Sequence, residues 1–325
     1  MGGVSAEREI SLKSGEALSR ALREAGFEVV EVDVVSLSPG NEPTLAPARG
    51  ALATSYEELP SLLRAEGCEV AVLALHGPYG EDGHVQALLE VAGIPYTGSG
   101  VLASALGMDK VASKRVFVGA GVPVPKGFEV RAGVPAGEAF RRARGSLGRP
   151  VVVKPTCQGS TVGVSIARDE EEFERALGEA FKYGPRALVE EFVPGREITV
   201  GVVGGREPRP LPPIEIVPLT GTGLYDFEAK YAPGGSEHLV PAPLTEAERA
   251  RVEEAALRAF EALGCEGVAR VDVRLRDDGA VFVLEVNTIP GFTERSLVPE
   301  AARAAGLSFP ELAATMVEMA LERER

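Results

Sequence analysis

The 325-residue chain is 45% hydrophobic and 25% charged, the balance of a soluble globular protein with room for two or three domains. A formal net charge of −14 argues against nucleic acid as a partner, and no apolar run of about 18 residues is present to cross a membrane. Cys68, Cys157 and Cys265 are odd in number, far apart and without zinc-ligand spacing, which suits a reducing cytoplasm.

The opening "GGVSAEREIS" lacks the basic start and apolar segment of a secretory leader. From there the first third alternates helix and strand, the pattern of a parallel sheet covered by helices. A helix is predicted over about 7–25, ended by Gly26, then a strand in "FEVVEVDV". A helix near 56–66 stops at Gly67 before the apolar strand "EVAVLAL", and another runs from Asp82-Gly83 to Gly93 before "IPYTG". A doubly wound unit opens with a strand, whereas here Gly2-Gly3 leads directly into a helix. The expectation is a Rossmann-like domain over 1–98 that lacks its first strand, that strand being encoded upstream. His76 falls at the carboxyl end of "VLALH", the edge where open α/β sheets bind ligands, and a histidine satisfied by backbone is the plainer alternative.

A helix from Asp109 to the glycines at 119–121 opens the middle section. The strand "PVVVKP" then delivers Lys154 to the loop "TCQGSTVG", where Gly159, Ser160, Thr161 and Gly163 can wrap amides around phosphates or simply form a turn. It is not a Walker A loop. "ALVEEFVPGREITV" adds Glu190, Glu191 and Glu197 around a Pro-Gly bend: acids for ribose hydroxyls, or an ordinary acidic strand end. Strands near 196–203 and 211–217 precede a long irregular stretch, 218–244, in which "GLYDFEAKY" places Tyr225, Lys230 and Tyr231. Such a segment can close as a lid over phosphates, or be tied down by its aromatics.

After a helix over 245–263, "VARVDVRLRDDGAVFVLEVN" alternates as two strands around Asp278-Gly279, a two-residue hairpin signal. Counting back from that turn sets Asp272 opposite Glu285 and Arg270 opposite Asn287 on one face, with Val271, Val273, Phe282, Leu284 and Val286 on the other. Opposed carboxylates destabilise a sheet unless their charge is cancelled. An Asp/Glu/Asn oxygen set suits hard Mg²⁺; a solvated polar face is the other reading of an acidic hairpin. Helices near 297–306 and 309–323 end the chain.

Taken together and in order, "GGVSAEREISLKSG", "LHGPYGEDG", "MDK", "KPTCQGSTVG", "YDFEAKY", "RVDV" and "LEVNTIPGFTERSLVP" resemble the D-alanine–D-alanine ligase family of the ATP-grasp superfamily over nearly the whole chain. The resemblance implies an α/β chain: the Rossmann-like domain over 1–98, a central ATP-grasp subdomain over 99–189, and a C-terminal subdomain over 190–325 holding the metal site and the lid at 218–244. It implies that ATP phosphorylates one D-alanine and that the amine of a second attacks the acyl phosphate, with a cytoplasmic homodimer as the working form. Asp272, Glu285 and Asn287 would bind Mg²⁺ or Mn²⁺, as two ions. Lys110, Lys154, Gly159, Ser160 and Lys230 would face the phosphates, and Glu190 and Glu197 the ribose or adenine side. Glu7 and His76 would serve the first D-alanine, Arg270 and Gly291 the oxyanion, and Ser296 and Leu297 the carboxylate of the second. Glu7, Ser160 and Tyr231 would form a hydrogen-bonded relay, with Tyr231 favouring D-alanine over D-lactate. Two alternatives remain at this stage: a related carboxylate–amine ligase for another substrate, and a non-catalytic binding module.

Overall fold

The computed structural model describes residues 1–40, 45–159, 161–219 and 235–323. The elements run α1 (Arg8–Glu24), β1 (Val32–Ser36), β2 (Leu52–Ser55), α2 (Leu59–Ala65), α3 (His84–Ala92), α4 (Val101–Met108), α5 (Lys110–Gly119), β3 (Gly127–Arg131), α6 (Ala136–Ser146), β4 (Val151–Pro155), β5 (Ser165–Ala167) and α7 (Glu170–Phe181). They continue through β6 (Arg186–Glu191), β7 (Arg196–Gly204), β8 (Arg209–Pro210), β9 (Ile214–Pro218), β10 (Ser236–Leu239), α8 (Glu246–Leu263), β11 (Gly267–Leu275), β12 (Val281–Asn287), α9 (Leu297–Ala304) and α10 (Phe309–Glu322).

Two antiparallel sheets face the chemistry. One has the order β3-β6-β4-β5; the other runs β10-β9-β7-β11-β12, with β8 beside β7. The first is closed by α6 and α7 through a core that includes Phe140, Phe173, Val153 and Val189. Under the second lies α8, whose Val252, Ala256 and Phe260 pack against Val200, Val271 and Val283. Capping at α8 is complete: Thr245 Oγ1 accepts from the Glu248 amide and Glu248 reaches back to the Thr245 amide.

In the N-terminal part, β1 and β2 pair in parallel. The strand predicted at 27–34 forms at 32–36. The strand predicted over 69–75 forms only one bridge, Ala71 to Tyr96. Its other edge faces a slot of about 490 Å³, bounded across the gap by 27–34 and floored by Leu18 and Leu22 of α1. Backbone without a hydrogen-bonded neighbour does not make a ladder, which is why this apolar run is strand-like in sequence but not in pairing. Met1–Gly3 already lie alongside β1 in parallel: the Val34 amide donates to Met1 O (3.1 Å) and the Gly3 amide to Val34 O (2.9 Å). The Met1 ammonium donates to Val32 O, and burial pulls its pKa down from 8.0 to about 6.

Two expectations are corrected. The stretch 218–244 is not irregular throughout, because 236–239 forms β10 against β9. The hairpin after α8 turns through three residues, with the Gly279 amide donating to Arg276 O and the Arg276 amide to Ala280 O. Gly279 takes φ +79°, the left-handed residue that a three-residue loop needs. The additional loop residue would slip the ladder by one. A bulge at Leu284 compensates, since Val273 faces Val283 while Asp272 faces Glu285. The buried face therefore carries Val281, Val283 and Val286, not Phe282 and Leu284.

Candidate active site

Between the two sheets lies a cavity of about 110 Å³ whose walls include Lys110, Lys154, Glu190, Glu197, Asp272, Arg274, Leu284 and Glu285. Each charged wall residue comes from an element with its own reason to be there. Lys110 is the first residue of α5, placed by Asp109, whose Oδ1 accepts from the amides of Val111 and Ala112 (both 3.0 Å). Lys154 stands near the end of β4, across the ladder from β6, which supplies Glu190. Asp272 and Glu285 oppose each other across β11 and β12, with Arg270 opposite Asn287 two residues along.

The opposed carboxylates are held by cations. Arg270 binds Asp272 through two bonds, Nε to Oδ1 at 2.9 Å and Nη2 to Oδ2 at 2.8 Å. Thr199 Oγ1, from β7, donates to the same Oδ1 at 2.6 Å. Lys110 Nζ lies 2.7 Å from Glu285 Oε2 and donates to Gln158 O in the glycine-rich loop at 2.9 Å. Burial works against the Lys110 ammonium, but the Glu285 carboxylate outweighs it and lifts the lysine above its ordinary range. Glu190, 2% exposed, is gripped by Lys154 (2.5 Å) and by Lys114. Burial alone would raise its pKa; the two ammonium groups reverse that and hold it below the carboxylate range. Glu197 lies 3.5 Å from Arg274 Nη2. Asn287 Oδ1 accepts from the Ile289 amide at 3.0 Å, which fixes the amide orientation.

A second group gathers where α1, the turn after Leu75 and the 288–296 turn meet. His76 is buried, with Nδ1 3.0 Å from Glu81 and Nε2 3.3 Å from Ser14 Oγ, which in turn accepts from the Phe292 amide. The Glu7 carboxylate sits between two glycines. A methyl on Gly77 would come within 2.9 Å of one oxygen, and one on Gly159 within 3.4 Å of the other. Glycine at 77 thus admits the carboxylate to a seam where the N-terminal part meets the phosphate loop at Gly159. Ser296 precedes α9 and exchanges bonds with Thr293 (amide 3.0 Å, hydroxyl 2.8 Å), and a methyl on Gly291 would lie 3.1 Å from its Oγ. Leu297 begins that helix and is buried.

The structure thus brings Lys110, Lys154, Glu190, Glu197, Asp272 and Glu285 to one cavity, and places Glu7, Gly159 and His76 at the adjoining seam, with Gly291, Ser296 and Leu297 where α9 begins. Ser160, Lys230 and Tyr231 lie outside the described residues, as does most of the predicted lid. Lys114, Thr199, Glu81 and Arg274 were missed. Lys114 had a signal, being four residues after Lys110 on one helix face. Thr199 had none, because its partner is 73 residues away.

Two opposed carboxylates with an adjacent carboxamide are hard oxygen donors, and Mg²⁺ commonly takes one or two carboxylates and completes its shell with phosphate and water. Among the described residues no group of three or more His, Cys, Asp or Glu side chains is placed to hold a metal by itself.

Two family models match the chain: "D-ala D-ala ligase N-terminus" over residues 1–99 and "D-ala D-ala ligase C-terminus" over 116–318. Among curated relatives, the D-alanine–D-alanine ligase of Desulforudis audaxviator is 50% identical over 324 residues, covering 99% of this chain and 97% of the relative. That of Syntrophotalea carbinolica is 47% identical over 316 residues, covering 96% and 92%. The crystal structure of the Bacillus anthracis D-alanine–D-alanine ligase complexed with ATP superposes with a TM-score of 0.78 at 31% identity, over 99% of this chain and 95% of that one.

Proposed function

The chain belongs to the D-alanine–D-alanine ligase family, ATP-dependent enzymes that join two D-alanines for peptidoglycan precursors through an acyl phosphate, and we propose that the cavity between its two sheets is where that reaction runs. What supports this placement most is one face of one hairpin: Asp272 opposite Glu285, with Arg270 a single alternation away.

In this reading Lys110 and Lys154 contact the phosphates of ATP, with Gly159, Ser160 and Lys230 closing on them, while Glu190 and Glu197 accept from its ribose or adenine side. Asp272, Glu285 and Asn287 would hold Mg²⁺ or Mn²⁺, as two ions, which would supply charge neutralisation during phosphoryl transfer. Glu7 pairs with the ammonium of the first D-alanine and His76, held by Glu81, keeps that pocket in shape. Arg270 stabilises the oxyanion of the tetrahedral intermediate, and the backbone at Gly291 approaches it. Ser296 and Leu297 take the second carboxylate at the start of α9, a natural anion site. Glu7, Ser160 and Tyr231 link the N-terminal part, the phosphate loop and the lid, and Tyr231 favours an amine over D-lactate.

The three units are 1–98, 99–189 and 190–325. The enzyme works in the cytoplasm as a homodimer; its three unpaired cysteines suit that compartment, and no helix among the described residues is long and apolar enough to cross a membrane. The test is ADP release from ATP with Mg²⁺, comparing D-alanine, L-alanine and D-alanine with D-lactate. Release that requires D-alanine, with the dipeptide accumulating, is the expected result; ADP release with no dipeptide would overturn it.

A further inference from the structure

Lys114 lies behind the cavity, outside its walls. It comes from α5, one turn beyond Lys110, and its ammonium holds Oε2 of the Glu190 carboxylate while Lys154 holds Oε1. All three side chains are under a tenth exposed. Around Lys114 Nζ stand Glu190 and Glu191 from the end of β6, Lys154 from β4, and the carbonyl of Pro125, which accepts from it at 3.3 Å. The three buried side chains are cation, anion, cation and carry one positive unit between them; Glu191, half-buried at the strand end, is occupied in accepting from the Lys126 amide at 2.8 Å.

That arithmetic has a consequence. With two ammonium groups on one buried carboxylate, Glu190 is neutralised even if one of them turns away. With one, Glu190 and Lys154 would form a closed neutral pair, and drawing Lys154 towards another anion would strand a buried carboxylate, which is costly. We propose that Lys114 is a positioning residue that neutralises Glu190 from behind and so leaves the charge of Lys154 available to the nucleotide's phosphates. This rests on the assignment of Lys154 to the phosphates above. The direction of titration reflects this crowding: burial, and then Lys154, weigh against the Lys114 proton, and Glu190, with a smaller contribution from Glu191, offsets them only in part.

The proposal distinguishes phosphates from the rest of the nucleotide. Calorimetric titration of the full chain with ATP and with adenosine, without D-alanine, reads it. Lys114→Met should weaken ATP about tenfold or more, as expected when one partner of a buried charge cluster is removed, while adenosine stays within about twofold. Lys114→Arg should recover most of the ATP affinity. Adding Glu190→Gln to Lys114→Met should restore ATP binding above that of Lys114→Met alone, because no carboxylate is left to hold Lys154. A merely structural ion pair predicts a lowered Tm with ATP affinity unchanged, or equal losses for ATP and adenosine; either result overturns the proposal. Should Lys114→Met not fold, the double variant is compared with Glu190→Gln, neither of which strands a buried carboxylate. Equal ATP affinity in those two supports the proposal, and a further loss in the double variant overturns it by showing that Lys114 acts on the phosphates directly. Failure of the parent protein to bind ATP would instead overturn the assignment of the cavity itself.

Discussion

Thr199→Val isolates the contribution of one hydroxyl to the proposed metal site. The threonine is 2% exposed and its Oγ1 donates to Asp272 Oδ1 at 2.6 Å, while Arg270 binds both oxygens of the same carboxylate. Valine keeps the shape and removes only the donor. A hydrogen bond to a charged group is worth ~1.5–3 kcal/mol. Because Arg270 still satisfies the carboxylate, the effect on folding should fall at the low end, lowering Tm by only a few degrees. The effect on the metal should be larger. Losing the donor leaves Oδ1 with a lone pair free for a cation, but it also frees the carboxylate to follow Arg270 away from Glu285. Loss of outer partners of metal ligands generally costs ~10–100-fold in affinity, so orientation should win. The assay is Mn²⁺ binding by electron paramagnetic resonance in the presence of ATP, beside kcat as a function of Mg²⁺. A metal affinity within about twofold of the parent would refute the argument that Thr199 orients Asp272 for the ion.

Glu285→Gln should lower kcat ~100-fold or more, because several kcal/mol of transition-state charge stabilisation passes through the ion it would help to hold, and should also lower Tm, because buried Lys110 loses the carboxylate that offsets its desolvation; near-normal turnover in this variant and in Asp272→Asn would remove the metal assignment. Stability should rise between about pH 6 and pH 8: the Met1 ammonium has a folded pKa of about 6 against 8.0 unfolded, so below pH 6 its desolvation costs up to ~2.7 kcal/mol, and above pH 8 that cost is gone. A thiol reagent should modify Cys157 in the native protein and leave Cys265, whose buried thiol is pushed up to about 12, untouched until unfolding.

The residues of the hairpin show what kind of information a sequence holds. Asp272 and Glu285 were placed face to face by counting from a two-residue turn, yet the turn has three residues and β12 carries a bulge. The two departures cancel at the carboxylates and leave their trace only beyond the bulge, where Phe282 and Leu284 leave the buried face and Leu284 joins the cavity wall. A bulge depends on what the other edge of the strand and the helix beneath demand, which alternation along one strand cannot report. Helices with glycine stops or side-chain caps, such as α3, α5 and α8, were legible because their signals are local. The 69–75 run misled for the opposite reason: its composition is that of a buried parallel strand, and pairing is a property of neighbours. Thr199 and Glu81 belong with it, being visible as functional only when a partner far along the chain or across a turn is brought to them.

The cavity's charges obey a single constraint. Three carboxylates that a metal ion or a ribose would engage each have a cation beside them whose proposed role is to meet phosphate or oxyanion: Asp272 with Arg270, Glu285 with Lys110, Glu190 with Lys154; Glu197 is paired with Arg274 instead. Buried charges of one sign could not stand alone, since an unpaired buried ion costs several kcal/mol. Pairing them with each other lets the fold be stable and the site remain charged. It also sets how substrates are admitted. A bare nucleotide drawing Lys110 and Arg270 to its phosphates would leave Asp272 and Glu285 opposed and uncompensated across the hairpin, a destabilising arrangement. A bare divalent cation taking the two carboxylates would leave the lysine and arginine without anions. In the proposed reading only the metal and the polyphosphate together would give each group a new partner, so the pairs within the chain would favour the metal–nucleotide complex over either component alone. Glu190 differs from the other two in having a second ammonium, Lys114, which under the proposal would stay when Lys154 turns to the phosphates.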